Sequence, residues 1–290
     1  MLVEEFVKEA FPFAVEKRRL FSPDGEKTPF YAMFRDDTGE VVSRTMVKSN
    51  YQGHTTDDVL AVVEAAGEVF EGGIARAWCA FNYGHYVVCQ PSRGHRYEVY
   101  GSDDAVFPRL VIKAGYGGKA FSVALGMYRD LCKNLAMPSM VQGINRRIIH
   151  TSGLRGKMDD LIGTLSIVAA GWENLTDTVH RMEMNHIHLA NFLESLYGPE
   201  PERSGRAQTE HRKRTEAIVS RLLSERMRSG RPDADERMIV TGWEAYNAVQ
   251  GYVQHDSSRR GEPDYVRRAI MASNNRFVRR AETLALQVTA

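Results

Sequence analysis

The residues best suited to chemistry crowd into one stretch of this chain. Between positions 107 and 158 stand nine Lys or Arg residues (Arg109, Lys113, Lys119, Arg129, Lys133, Arg146, Arg147, Arg155 and Lys157) against one acid, Asp130, in a 290-residue chain of formal charge +1. A near-neutral protein that gathers cations locally, and interleaves them with Tyr116, Phe121, Tyr128 and His150, offers a surface for a polyanion, most naturally a nucleic acid backbone. The competing reading is a solvated basic face with no ligand, because clustered charge alone names no partner.

Spacing assigns these cations to elements. On a strand, Arg109, Val111 and Lys113 face one way with period two, so the two cations line one sheet face. Arg129 and Lys133 stand at i, i+4 in a segment, 127–135, expected to be helical, which places them on one helix face. Arg146 and Arg147 precede Ile148-Ile149-His150 in an expected strand, one pointing inward and the other outward. Arg109, Lys113, Lys119, Arg129, Lys133, Arg146 and Arg147 then form a groove that contacts phosphates, with Tyr116 or Tyr128 stacking on bases. Tyr116, in the glycine turn 115–118, is the ring expected to be most exposed, and Phe121 the one expected in the core.

Other chemistry is weaker. Gly118-Lys119 fails the nucleotide-loop pattern, which requires Gly and Ser/Thr where this chain has Lys113 and Ala120. The glycine turn can still bring amides close to a phosphate. His180, Glu183, His186 and His188 invite a metal, yet on the one helix expected here His186 turns away from His180 and His188, and no second Glu-x-x-His run exists. No nucleophile elbow, metalloprotease helix or paired-carboxylate motif is present, and Asp36-Asp37, Asp103-Asp104 and Asp159-Asp160 read as turn and cap acids. No catalytic residue, metal or cofactor is therefore assigned. Cys79, Cys89 and Cys132 lack C-x-x-C spacing and read as buried thiols, although Cys79 and Cys89 flank a hairpin across which they could meet.

The elements that must hold the basic segment follow from periodicity. Hairpins are expected from 29–34 with 41–47, joined through 35–40, and from 74–81 with 85–90, turning at Asn82-Tyr83-Gly84. A helix capped by Thr55 or Thr56 runs to about Phe70, and strands at 106–114 and 119–127 flank the glycine turn. After Thr151 the period becomes 3.6: a long helix from about Leu161 toward Tyr197, a surface helix at 217–227, and helices at 241–255 and 264–286. Strands followed by helices imply an α+β fold, with a mostly β domain over 1–153 and a helical region over 154–290. The apolar content of 43% supplies a core, no run reaches membrane-spanning length, and Glu4-Glu5 stand where a secretory signal carries cations, so a cytoplasmic location without membrane contact is expected.

Several short motifs, in order, carry a resemblance. They are Gly39-Glu40-Val41-Val42 with Tyr51-Gln52 and the helix at 59–66; the strand from Ala120 through Arg129 to Cys132-x-Asn134; Ile148-Ile149-His150-Thr151-Ser152-Gly153; and Thr241 to Val249 followed by Tyr252 and His255. In these the chain resembles the phage- and plasmid-like family of unknown function DUF932. That family has a Ser-His-Asp-Gly-like turn where this chain has Gly115 to Gly118, so no role of that His or Asp carries over. The strand-strand-helix-strand beginning is similar in topology to the single-strand annealing proteins Red-beta, Erf and the eukaryotic Rad fifty-two type. The resemblance implies a mobile-element protein that binds single-stranded DNA, anneals strands in recombination or replication, and assembles into a homo-oligomer. The alternative, from a different class, is a non-enzymatic anti-defence or replication-accessory factor that binds a host or phage protein through its helical half.

Overall fold

A computed structural model describes residues 3–10, 12–43, 45–70, 73–79, 85–90, 95–101, 104–136, 138, 140–141, 143–202, 205–231, 238–256 and 275–287. The fold is α+β, with antiparallel strands early and helices dominating the later half. Two compact units divide the chain, and each takes three segments: Met1–Gly94, Arg109–Leu125 and Gly143–Gly171 form the first; His95–Pro108, Gly126–Gln142 and Trp172–Ala290 form the second.

In the first unit, helix α1 (Val3–Ala10) precedes a hairpin of β1 (Val15–Phe21) and β2 (Lys27–Arg35). Strand β1 was not expected, because its Glu-Lys-Arg-Arg run has no apolar alternation. It displaces 41–47 as the partner of β2, leaving that segment two isolated bridges, Phe34 to Val41 and Tyr31 to Val47. The turn at 35–40 does form, closed by the Arg35 amide donating to the Glu40 carbonyl, with Gly39 at φ 69°. Helix α2 (Thr56–Phe70) begins where the sequence places it: the Asp58 amide donates to the Thr55 hydroxyl, and the Thr55 amide to the Asp58 carboxylate. Its buried Val59, Val62, Val63 and Ala66 face the core, and the helix packs on β3 (Gly73–Cys79) and β4 (His85–Gln90).

Strands β3 and β4 pair antiparallel, although the tip at 82–84 lies outside the described residues. Their register sets Cys79 opposite His85 and Cys89 opposite Ile74, so the two cysteines do not face each other across the hairpin. Strand β4 pairs with the 110–114 part of β6 (Ala105–Ala114), which neighbours β7 (Phe121–Arg129). The first residues of β7 pair in turn with β9 (Asn145–Ile148), on which α3 (Leu154–Gly163) packs.

In the second unit, β5 (Tyr97–Glu98) pairs with the start of β6, and β8 (Asn134–Ala136) with the end of β7. The helix expected over 127–135 is therefore a strand, a turn and a strand, with Lys133 in the turn at φ 56°. The long helix expected to reach Tyr197 stops as α4 (Leu165–Met184). Strand β10 (His186–His188) interrupts it by pairing with β11 (Ile239–Thr241), and α5 (Leu189–Tyr197) follows. His186 and His188 thus stand on a strand, and no metal-holding cluster exists among the described residues.

Helix α6 (Arg206–Arg228) extends well beyond the expected 217–227. Helix α7 (Gly242–Gly251) is buried along its whole length, capped reciprocally by Thr241 and Glu244, and continues as a π-helical turn, Tyr252–Asp256. It packs on α6, β8 and α8 (Arg276–Leu286) so closely that a Cβ on Gly242 would lie 2.3 Å from the Ala285 carbonyl oxygen. The 264–274 part of the last expected helix lies outside the described residues. No described helix is long and apolar enough to cross a membrane.

Candidate nucleic-acid interface

The strands β3, β4, β6, β7 and β9 read GIARAWC, HYVVCQ, AVFPRLVIKA, FSVALGMYR and NRRI, without one Asp or Glu. In the first unit, pleating sorts their residues onto two faces. Leu110, Ile112, Ala114, Phe121, Val123 and Leu125 are buried on one, as the sequence predicts for Phe121. The alternate positions of β6 are Arg109 and Lys113, both half-buried, with Val111 fully buried between them; on β9 the exposed Arg147 stands directly across from Ser122 in the β7–β9 register. Arg146, half-buried, pairs with Val123 and so occupies the opposite phase of β9.

Lys113 shows what this arrangement does electrostatically. Burial pushes its ammonium pKa below the ordinary lysine value, and the nearby Arg147 guanidinium pushes it further the same way. Neither side chain has a carboxylate partner within ion-pair distance among the described residues. Two cations that feel each other's charge raise each other's energy, and an incoming anion relieves that.

The glycine turn does not do what its sequence suggests. Tyr116 is 3% exposed, stacked on His54 with centroids 4.4 Å apart and donating its hydroxyl to the His54 carbonyl at 3.1 Å. It is a core ring and cannot stack on a base. Gly117 donates its amide to the Tyr51 hydroxyl at 3.2 Å and accepts from Thr45 at 2.6 Å, so its backbone faces the protein rather than a phosphate. A Cβ on Gly117 would come within 2.7 Å of Ser43, which requires glycine there. Lys119 is exposed, and its carbonyl accepts from the Nδ1 of His150 at 2.8 Å. His150 Nε2 in turn lies 3.1 Å from His54 Nδ1, a buried pair that sequence reading missed because the two rings are 96 residues apart.

In the second unit the expected groove residues have other roles. Arg129 is 4% exposed: its guanidinium grips Asp104 through Nε and Nη2 (3.0 and 2.6 Å to Oδ2) and Glu225 through Nη1 at 2.6 Å. A buried guanidinium gripped by two buried carboxylates is not presented to DNA, which removes Arg129 from the groove. The partners are Asp104, read from sequence as a turn acid, and Glu225, nearly a hundred residues away on α6. Burial pushes the Glu225 carboxyl up, while Arg129, Arg221 and Arg228 pull it down. Lys133 is exposed on its turn and Tyr128 half-buried on β7.

The motifs that carried the resemblance turn out to be internal joints. Asn134 donates to the Asn247 carbonyl at 3.1 Å and meets His255 Nε2 at 3.1 Å. Gln254 pairs with both the amide and the carbonyl of Leu135, at 3.0 and 2.9 Å, as a neighbouring strand would. In the first unit, Gln52 accepts from the Leu154 amide at 3.1 Å. Asn134 and Gln254 are buried and their side-chain groups are met by backbone and side-chain partners, which specifies a fold rather than a ligand.

No curated protein and no solved structure matches the chain, so the comparisons show no similarity to annealing proteins. A family model described as a domain of unknown function, DUF932, matches residues 45–282. That span holds every joint just described, and the chain belongs to the DUF932 family.

Proposed function

We propose that this protein binds single-stranded nucleic acid through the basic residues of the first unit's sheet, and that the binding serves strand annealing in recombination or replication. The observation that carries this reading is the half-buried Lys113 beside Arg147, on strands without a single acid. A merely solvated face would spread its cations into water or pair them with carboxylates. Here desolvation and like charge keep a site poised for phosphate. Arg109 shares the row, and Lys119 stands at the adjoining turn. Phosphate binding of this kind needs neither metal nor nucleotide.

Fluorescence anisotropy of labelled single-stranded and duplex DNA across a salt series tests it. Single-strand binding that weakens log-linearly with salt is expected, at about 0.7 per phosphate contacted. Absence of binding even at low salt would overturn the reading.

A further inference from the structure

Two buried imidazoles tie together three distant parts of the first unit. His54, just ahead of α2, and His150, just past β9, are each 2% exposed, and His54 Nδ1 lies 3.1 Å from His150 Nε2. Their other neighbours are rings: Tyr116 stacks on His54, Phe121 meets it edge-on at 5.8 Å, and Tyr51 stands 5.5 Å from His150. The β7–β9 ladder ends with Phe121 opposite Ile148, and two residues further along the same register Lys119 falls opposite His150. There the His150 imidazole, through Nδ1, takes the Lys119 carbonyl at 2.8 Å.

A carbonyl only accepts, so Nδ1 of His150 carries a proton and, in the neutral ring, Nε2 is an acceptor. His54 then donates from Nδ1, and the line from His54 through His150 to Lys119 runs in one direction. The gap between the rings has room for one proton. With one ring charged the bond survives, because the other ring offers a lone pair. With both charged, two N–H groups face each other and two like charges meet away from water.

The surroundings do not offset a second charge. Asp58 of α2 favours the charged form of His150, but burial outweighs it, and that carboxylate already accepts the Thr55 amide. Tyr51 stays a neutral phenol, its pKa pushed up by burial to about 12. Lys8 of α1 and Asp57 line the cavity beside His54, while Lys17 of β1, Arg155 of α3, Asp57 and Asp58 line the one beside Tyr51, so the acids there are matched by cations.

We propose that the His54–His150 pair is an acid-sensitive latch, which holds the glycine turn to the end of β9 while at most one ring is charged and releases it when both are. The two arms it joins carry Lys119 and Arg147, so opening the latch changes the spacing of those cations.

Hydrogen exchange of the full chain, followed from about pH 7.5 to 4.5 and corrected for intrinsic rates, tests this. Exchange at residues 115–119 and 149–153 is expected to accelerate by about tenfold per pH unit on the acid side, the linkage of one extra proton bound on opening, while α2 keeps its protection. In His54→Gln, whose side-chain amide both donates and accepts, that acceleration should vanish. Exchange that does not accelerate, that accelerates equally in α2, or that is the same in His54→Gln overturns the latch. Should His54→Gln misfold, the ring nitrogen shifts of the wild type decide. His150 protonated on Nδ1 and bare on Nε2 at neutral pH, with the two rings titrating in separate steps, supports the latch; an Nε2 proton on neutral His150, or a single common step, overturns it.

Discussion

Arg129 and Lys113 come from the same basic stretch and meet opposite fates. In the second unit, Arg129 is enclosed by Asp104 and Glu225, and neighbouring cations are similarly matched: Arg221 with Asp256 at 2.8 Å, Arg226 with Glu244 at 2.9 Å. In the first unit, Lys113 is desolvated and feels the charge of Arg147, with no carboxylate within ion-pair distance among the described residues. A paired cation serves the fold, since removing one partner strands the other's buried charge. An unpaired cation strains the fold and is available for a ligand. Local sequence charge does not separate the two cases, because the deciding carboxylates come from elsewhere in the chain.

This contrast can be broken at either end. Arg129→Ala leaves Asp104 and Glu225 buried without their cation and should destabilise the protein by about 3–5 kcal/mol, read by denaturant unfolding. A loss below about 1 kcal/mol would mean the second unit does not depend on that pairing. Reversing the other site, Lys113→Glu with Arg147→Glu, should weaken single-strand binding by about a hundredfold or more while the circular dichroism spectrum is retained.

The sign of stability should also invert. Lys113→Met removes a desolvated cation beside Arg147 and is expected to raise the melting midpoint by about 2–4 °C, the equivalent of ~1 kcal/mol in a chain of this size. The same variant should bind DNA more weakly. A lowered midpoint would show that Lys113 is already compensated.

The smallest effect concerns pH. Burial, opposed by the Lys119 carbonyl and Asp58, holds the His150 pKa below its ordinary value. The unfolded chain therefore takes up a proton that the folded chain refuses, and stability should decline as pH falls below about 6.5. His150→Asn should flatten that part of the melting profile, and an unchanged slope would assign it to other groups.

Much of the framework was legible in the sequence. The α+β class, the Thr55 cap, the strands flanking the glycine turn and the core position of Phe121 all follow from period and capping chemistry. What escaped is non-local. β1 pairs with β2 although its residues are mostly charged, and Arg129 and Lys133, at helical spacing, are drawn into a strand and a turn by pairing with β8. Tyr116 sits in a glycine-rich turn whose composition signals exposure, yet His54 and Tyr51 bind that turn from sixty residues upstream. The basic face was visible as a charge count; which of its members remain available was set by tertiary partners.

The most direct test of the central claim is the salt dependence of single-strand binding by Lys113→Gln with Arg147→Gln, measured beside wild type. If the two residues contact phosphates, the slope of log affinity against log salt should become shallower by about 1.4, twice the single-strand increment. Equal affinity with an equal slope would contradict the account, since it would show that the unpaired cations of the sheet face play no part in holding the strand.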